Sequence, residues 1–191
     1  MLEQEILNYL SCNLLPKRYY HSLCVTELAV KLAKFYKENV YTVQTAALLH
    51  DCAKEMSLVQ MKKYIQKNGL KIPCYDFVIL HLPQVLHSYI GADIAEKKFK
   101  IKDKTILNAI KNHTIGRTNM SACEKILFVA DSLSADRPYS YRKQYNKILF
   151  NGLDNVFKAV LCNKINYIIS NFKLLHPNIV SIWNYYNSNK L

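Results

Sequence analysis

The chain has no apolar run close to the ~20 residues a bilayer-spanning helix needs, so a membrane-embedded helix is excluded. Its opening stretch, Met1 to Leu15, carries Glu3 and Glu5 and lacks a basic segment followed by an apolar one, so no secretion signal is expected there. There is no CxxC pair. Cys12, Cys24, Cys52, Cys74, Cys123 and Cys162 are scattered, as reduced and mostly buried thiols of a cytoplasmic protein would be, and a disulfide framework is not expected. Gly/Ser linkers, internal repeats and low-complexity tracts are also missing, so nothing divides the chain. Arginine is scarce: Arg18, Arg117, Arg137 and Arg142 stand against 22 Lys among the 26 basic residues.

The material that is present builds a core. Half of the 191 residues are apolar and 12% are aromatic, too many for a disordered chain. The length suits one domain, or two small ones. Basic residues outnumber acidic ones 26 to 14, a formal charge of +12 that suggests a polyanionic partner. The chain is also crowded with Asn, Ile and Tyr, whose codons, like those of Lys, are AT-rich. Part of the charge is therefore read as drift on a solvated surface.

The hydrophobic period is helical almost throughout. Leu23, Leu28, Leu32 and Phe35, with Val25 and Ala29, predict a long amphipathic helix over 18–37. A second helix over 41–54 is apolar nearly all round through Val43, Ala46, Ala47, Leu48 and Leu49, as a central helix would be. Further helices are expected at 3–12, 57–68 (ended by Asn68-Gly69), 85–98, 103–113, 121–135, 152–172 and 178–188. Only Val78-Ile79-Leu80 could pass for a strand. The expectation is one all-α domain.

His50 and Asp51 lie side by side at the end of the most buried helix. An ionisable pair in apolar surroundings is costly unless something binds it. Helical neighbours are about 100° apart, so the two can approach a metal from adjacent faces, and the two oxygens of Asp51 can each hold an ion. Imidazole with carboxylate suits Zn, Fe, Mn or Co, and thiols lying outside the cluster argue against a thiolate site. His21, His87, His113 and Asp131 are further ionisable groups at helix ends or within apolar stripes. The order H…HD…H…H…D resembles the ligand order of HD-domain metal-dependent phosphohydrolases.

The resemblance extends to longer blocks, over about residues 17–188. Arg18 to Leu23 with Val25 resembles RxxHxxxV, and Ala46 to Lys54 resembles AALLHDxAK. Leu86 to Ala92 is similar to LHxxxGA, His113 to Arg117 to HTTGR, and Met120-Ser121 with Glu124-Lys125-Ile126 to MSxxEKI. Asp131 followed by Arg137, and the tail from Leu175-His176-Pro177 to Asn184, complete the pattern of the YqeK-type symmetrical diadenosine tetraphosphatases. Ser132 and Ser134 depart from it, standing where relatives often carry Tyr and Glu. His81 matches no ligand position and is read as surface or structural, and His176 as structural, capping a helix.

The resemblance implies a single HD-type helical bundle spanning 1–191, with a core over 17–140, C-terminal helices over 150–191 packed on it, and the metal site between central helices. It implies two divalent or mixed-valence ions, iron first with Mn or Co as alternatives. His21, His50 and Asp131 would hold one ion, His87 and His113 the other, and Asp51 would bridge. The implied reaction splits diadenosine tetraphosphate into two ADP by attack of a metal-activated water, with no Ser or Cys nucleophile.

A polyphosphate also needs cations beyond the metals. Lys54 follows Asp51 on the same predicted helical face, Arg117 follows His113, and Arg137 follows Asp131. Guanidinium binds phosphate bidentately. Asp51, Lys54 and Arg117 are the expected catalytic set. Lys54, Arg117, Arg137 and Thr114 are expected to contact substrate, with Arg18 either a further contact or the partner of an acid. The expected partner is thus a small dinucleoside polyphosphate rather than nucleic acid or membrane, and an apolar tail (Ile165, Ile168, Ile169, Phe172) suggests a homodimer. Another nucleotide, such as a monophosphate or an alarmone, is the alternative substrate. A non-catalytic, basic RNA-binding helical module is the alternative of another class; the full ligand set and the lack of an RRM, KH or zinc-knuckle pattern count against it.

Overall fold

Start and stop signals in the sequence set the helix ends. In the computed structural model, which describes residues 2–188, α1 (Leu2–Asn13) is followed by α2 (Pro16–Phe35), opened by Pro16, whose missing N–H is no loss in a first turn. The Asn39 side chain accepts the Thr42 N–H and starts α3 (Val40–Leu49). Ser57 and Gln60 form a reciprocal capping box on α4 (Leu58–Asn68), and Gly69, in the left-handed region at φ 63°, ends it. Next come α5 (Tyr75–His81) and, after a turn of 3-10 helix, α6 (Leu86–Lys97). Asp103 caps α7 (Lys104–Asn112), and Ser121 with Glu124 forms a second capping box on α8 (Ala122–Leu133). A short α9 (Tyr139–Arg142), a long α10 (Leu153–Ser170) and α11 (Ile179–Asn187) complete the chain. Among the described residues there is no strand, and no helix is long and apolar enough to cross a membrane.

The architecture is the expected all-α bundle. Helix α3 is its centre: Val43, Ala46, Ala47, Leu48 and Leu49 are buried, and α1, α2, α6, α7 and α8 all pack on it. Small residues let these helices approach closely. At Gly91 of α6, an added Cβ would lie 3.4 Å from the Cys52 sulfur and 3.4 Å from Ile110 Cγ2. This glycine seats α6 against the turn that carries His50 and Asp51.

Three sequence expectations are corrected. First, α3 stops at Leu49 rather than continuing to 54. Residues 50–55 form tight turns, with Cys52 N–H donating to Leu49 O at 3.1 Å and Lys54 N–H to Asp51 O at 2.9 Å. His50, Asp51, Cys52 and Ala53 are all buried in this turn, which is enclosed by the neighbouring helices. Second, the inward face of α2 is His21, Val25, Ala29 and Leu32; Leu23 is 37% and Phe35 51% exposed. The helix turns its His21 row toward α3 and α8, and Phe35 packs outside on Phe150. Third, Val78-Ile79-Leu80 belongs to α5, where only Val78 is buried and Leu80 is 72% exposed.

Gly91→Val is expected to destabilise the fold by about 1–3 kcal/mol, because the contacts at 3.4 Å leave no space for two methyl groups. Thermal unfolding of the variant beside Gly69→Ala, where an added Cβ meets open space but φ is positive, separates steric crowding from backbone strain. An unchanged Tm for Gly91→Val would contradict this packing.

Candidate metal centre

Five helices deliver one cluster of ionisable side chains. His21 comes from α2, His50 and Asp51 from the end of α3, His87 from the start of α6, His113 from the end of α7, and Asp131 from α8. The four imidazoles and Asp51 are buried. Each imidazole is tied at Nδ1. His50 Nδ1 donates to Ala47 O and His113 Nδ1 to Ile110 O, both at 2.7 Å, and His87 Nδ1 donates to Gln84 O. His21 Nδ1 bonds Asp136 Oδ2 at 2.7 Å. A backbone carbonyl only accepts, so at His50, His87 and His113 the proton sits on Nδ1 and the Nε2 lone pair is left free.

Those lone pairs converge. His87 Nε2 lies 3.1 Å from His113 Nε2 and 2.9 Å from Asp51 Oδ1. His113 Nε2 is 3.6 Å from the same oxygen, and His50 Nε2 is 3.6 Å from Asp51 Oδ2. His21 Nε2 is 3.1 Å from Asp131 Oδ1. The donor atoms form two groups, His21–His50–Asp51 and Asp51–His87–His113, with Asp51 in both. His50 Nε2 and Asp51 Oδ1 are buried and, among the described residues, carry no hydrogen bond. Acceptors that face one another without a proton between them fit a cation, and the imidazole–carboxylate donor set fits a divalent metal.

The electrostatics keep His50, His87, Asp51 and Asp131 in ligand form. Burial pushes the His50 and His87 pKa values down to about 4, against the pull of Asp51, so both rings are neutral near pH 7. Asp51 is held well below the usual carboxylate range despite its burial, so it stays an ionised ligand. Asp131 is held low in the same way, against burial, by His21 and Lys164. His21 moves in the opposite direction: burial lowers it, and the carboxylates of Asp131 and Asp136 more than reverse that.

Cations surround the carboxylates. Lys54 Nζ is 3.7 Å from Asp51 Oδ1 and 3.3 Å from His87 Nε2, a position it reaches through the turn at 50–55 rather than along a helical face. Arg18 pairs with Asp51 Oδ2 at 2.8 Å, one of the two roles foreseen for it. Arg137 Nη2 meets Asp131 Oδ1 at 2.8 Å, and its Nε bonds the backbone of the same residue. A cavity of about 560 Å³ opens beside Asp131; Arg137 and Thr114 border it, and Phe128, Tyr141 and Ile165 supply apolar wall.

Arg117 is not brought to this cluster. Its Nε and Nη2 grip both oxygens of buried Glu124 at 2.8 and 2.7 Å, and Nη1 bonds Thr118 O, so its fork braces the start of α8. Glu124 is buried and needs a partner, and Arg117 supplies it. His81 is exposed, stacked near Phe77, and His176 Nδ1 accepts the Asn178 N–H just ahead of α11. Sequence reasoning missed Asp136 and Lys164. Asp136 lies inside the Asp131–Arg137 spacing and could have been found as the only acid there, whereas Lys164 is one Lys of 22 in a distant helix with no local signal.

Comparison with known proteins finds relatives of this chain. The model of the HD domain family matches residues 18–136. The chain is 29% identical to the symmetrical bis(5'-nucleosyl)-tetraphosphatase of Halalkalibacterium halodurans, over 90% of each chain. It is 30% identical to the protein of that name from Staphylococcus aureus, over 90% of this chain and 87% of the relative. It is also similar to a crystal structure from Clostridium acetobutylicum described as a predicted HD superfamily hydrolase involved in NAD metabolism. That structure has a TM-score of 0.90 and 34% identity, over 98% of both chains.

The lowered imidazoles make the metal-free protein acid-labile in a defined window. In an unfolded chain His takes a proton near pH 6.5, but buried His50 and His87 do not until about 4. Between these values the unfolded state binds more protons, so stability falls as pH falls. The contribution of His21, whose pKa is raised, is present below its ordinary value and lost as pH rises through the raised one; it opposes the other two. With two groups against one, the Tm of chelator-treated protein is expected to drop from pH 6.5 to 4. A flat Tm across that window would contradict the assignment of neutral, buried imidazoles.

Proposed function

The chain belongs to the HD domain family, and on that premise we propose that it hydrolyses diadenosine tetraphosphate symmetrically to two ADP in a metal-dependent reaction. The observation that carries this reading is the buried cluster in which Asp51 belongs to both donor groups. His21, His50 and Asp131 would hold one ion, His87 and His113 a second, and Asp51 would serve both; iron is our first assignment, and Mn or Co suits the same donors. Bound there, divalent metal supplies Lewis acidity, lowering the pKa of a water and neutralising phosphoryl charge.

The rest of the work falls to side chains of the chain itself. The carbonyls of Ala47, Gln84 and Ile110 keep three imidazoles in the tautomer whose Nε2 faces inward. Lys54, half-open to solvent beside Asp51, is suited to a phosphoryl oxygen on one flank. Arg137 and Thr114, which line the cavity, are suited to the phosphates and ribose on the other. The apolar wall formed by Phe128, Tyr141 and Ile165 suits one nucleoside, in a volume typical of ligand sites. Arg117 is assigned a positioning role: it braces α8, which carries Asp131. The domain reading is a core over 17–140 with α10 and α11 packed on it. The exposed Ile169 and Phe172 support a homodimer, and six free thiols support a cytoplasmic location.

Two measurements test this reading. Metal-loaded protein incubated with diadenosine tetraphosphate is expected to yield ADP as the only nucleotide product. AMP with ATP would remove the symmetric cleavage and keep a phosphohydrolase, and turnover of a monophosphate or alarmone alone would move the substrate class. Asp51→Asn is expected to abolish turnover and lower metal content at both positions, whereas exposed His81→Ala keeps metal at the wild-type level. Loss of metal in His81→Ala would overturn the ligand set.

A further inference from the structure

The matched HD region ends at residue 136, yet a side chain from beyond it reaches the cluster. Lys164 lies on α10, which packs on α8, and its Nζ sits 3.8 Å from Asp131 Oδ2 and 3.9 Å from the centre of the Phe128 ring. It borders the same cavity as Arg137 and Thr114, with its side chain 28% exposed. Asp131 already receives the shorter contact of Arg137, at 2.8 Å on its other oxygen. One carboxylate therefore faces two fixed cations. Among the described residues the ammonium of Lys164 has a long contact with its counter-ion and the face of an aromatic ring. A cation so placed, with its charge in excess and its side chain lining a cavity, is arranged for an anion that arrives.

We propose that Lys164 binds a phosphate of the substrate on the Asp131 side of the cluster, opposite Lys54, so that α10 completes the substrate site. This rests on the dinucleotide reading above. A tetraphosphate bridge carries several charges in a row. An ammonium group stands beside each carboxylate of the cluster, Lys54 at Asp51 and Lys164 at Asp131, with Arg137 on the other oxygen of Asp131. Together they match such a chain better than any one cation alone. The ammonium of Lys164 lies over the face of Phe128, which lines the same cavity, so the residue stands where nucleoside and phosphate recognition would meet. The competing role is structural: Lys164 would merely neutralise Asp131 and so secure a metal ligand.

Full-length, metal-loaded Lys164→Met, which keeps the stem, and Lys164→Arg, which keeps the charge, decide between these roles. KM for diadenosine tetraphosphate is expected to rise about tenfold or more in Lys164→Met, as for a lost charged hydrogen bond. In that variant kcat falls by less than KM rises, metal content equals wild type, and Lys164→Arg recovers most of the affinity. An unchanged KM overturns the proposal, and so does a loss of metal in Lys164→Met, which would assign the residue to Asp131. If the wild type fails to hydrolyse diadenosine tetraphosphate, the functional reading falls, and the thermal shift produced by ADP decides the role of Lys164. A smaller shift in Lys164→Met than in wild type supports it, and equal shifts overturn it.

Discussion

Hydrogen bonds from imidazole Nδ1 to a carbonyl three residues earlier govern the chemistry of this protein. His50 donates to Ala47, His113 to Ile110 and His87 to Gln84. The last carbonyls of a helix have no intrahelical partner. His50 follows the end of α3 and His113 the end of α7, so each caps its own helix with the same bond that fixes its tautomer. His87 makes the equivalent bond to the short 3-10 turn before α6. A carbonyl cannot donate, so the proton is pinned outward and the Nε2 lone pair inward. Orientation, protonation state and helix termination are thus settled by one contact per ring.

The consequence is a concentration of acceptors that an apolar interior would not otherwise tolerate. Asp51 lies within reach of three imidazoles, and His87 and His113 face each other at 3.1 Å. Charge is balanced from outside the cluster: Arg18 and Lys54 on Asp51, Arg137 and Lys164 on Asp131. The scarce arginines divide accordingly. Arg18 and Arg137 serve the carboxylates of the cluster, and Arg117 serves Glu124 at the start of α8. Most of the surplus lysines lie on the solvated surface, so the net charge of the chain says less about its partners than the few cations beside the cavity.

Much of the helical layout was legible because the hydrophobic period and stops are local signals, and Gly69 ends α4 as Asn68-Gly69 predicts. Pro16, Asn39 and the Ser57 and Ser121 boxes are local signals of the same kind that fix the starts of their helices. The errors lay where tertiary packing overrode period. Phe35 looked like core on an isolated helix but lies outside, since α2 must turn His21 inward. The early end of α3 could not be read from an apolar run that continues through Cys52 and Ala53, because only the neighbouring helices, α6 above all, make burial of the whole turn favourable.

From the sequence alone come the all-α class, the order of His and Asp residues, and the family to which that order belongs, because these depend on spacing and residue chemistry within short segments. The tertiary structure decided which cations meet which carboxylates. Arg117 was spaced like a substrate contact and is held by an acid seven residues away, whereas Lys164 carried no local signal and stands beside Asp131. Side-chain partners across helices follow from how α8 and α10 pack, a relation between distant segments that no short-range pattern encodes.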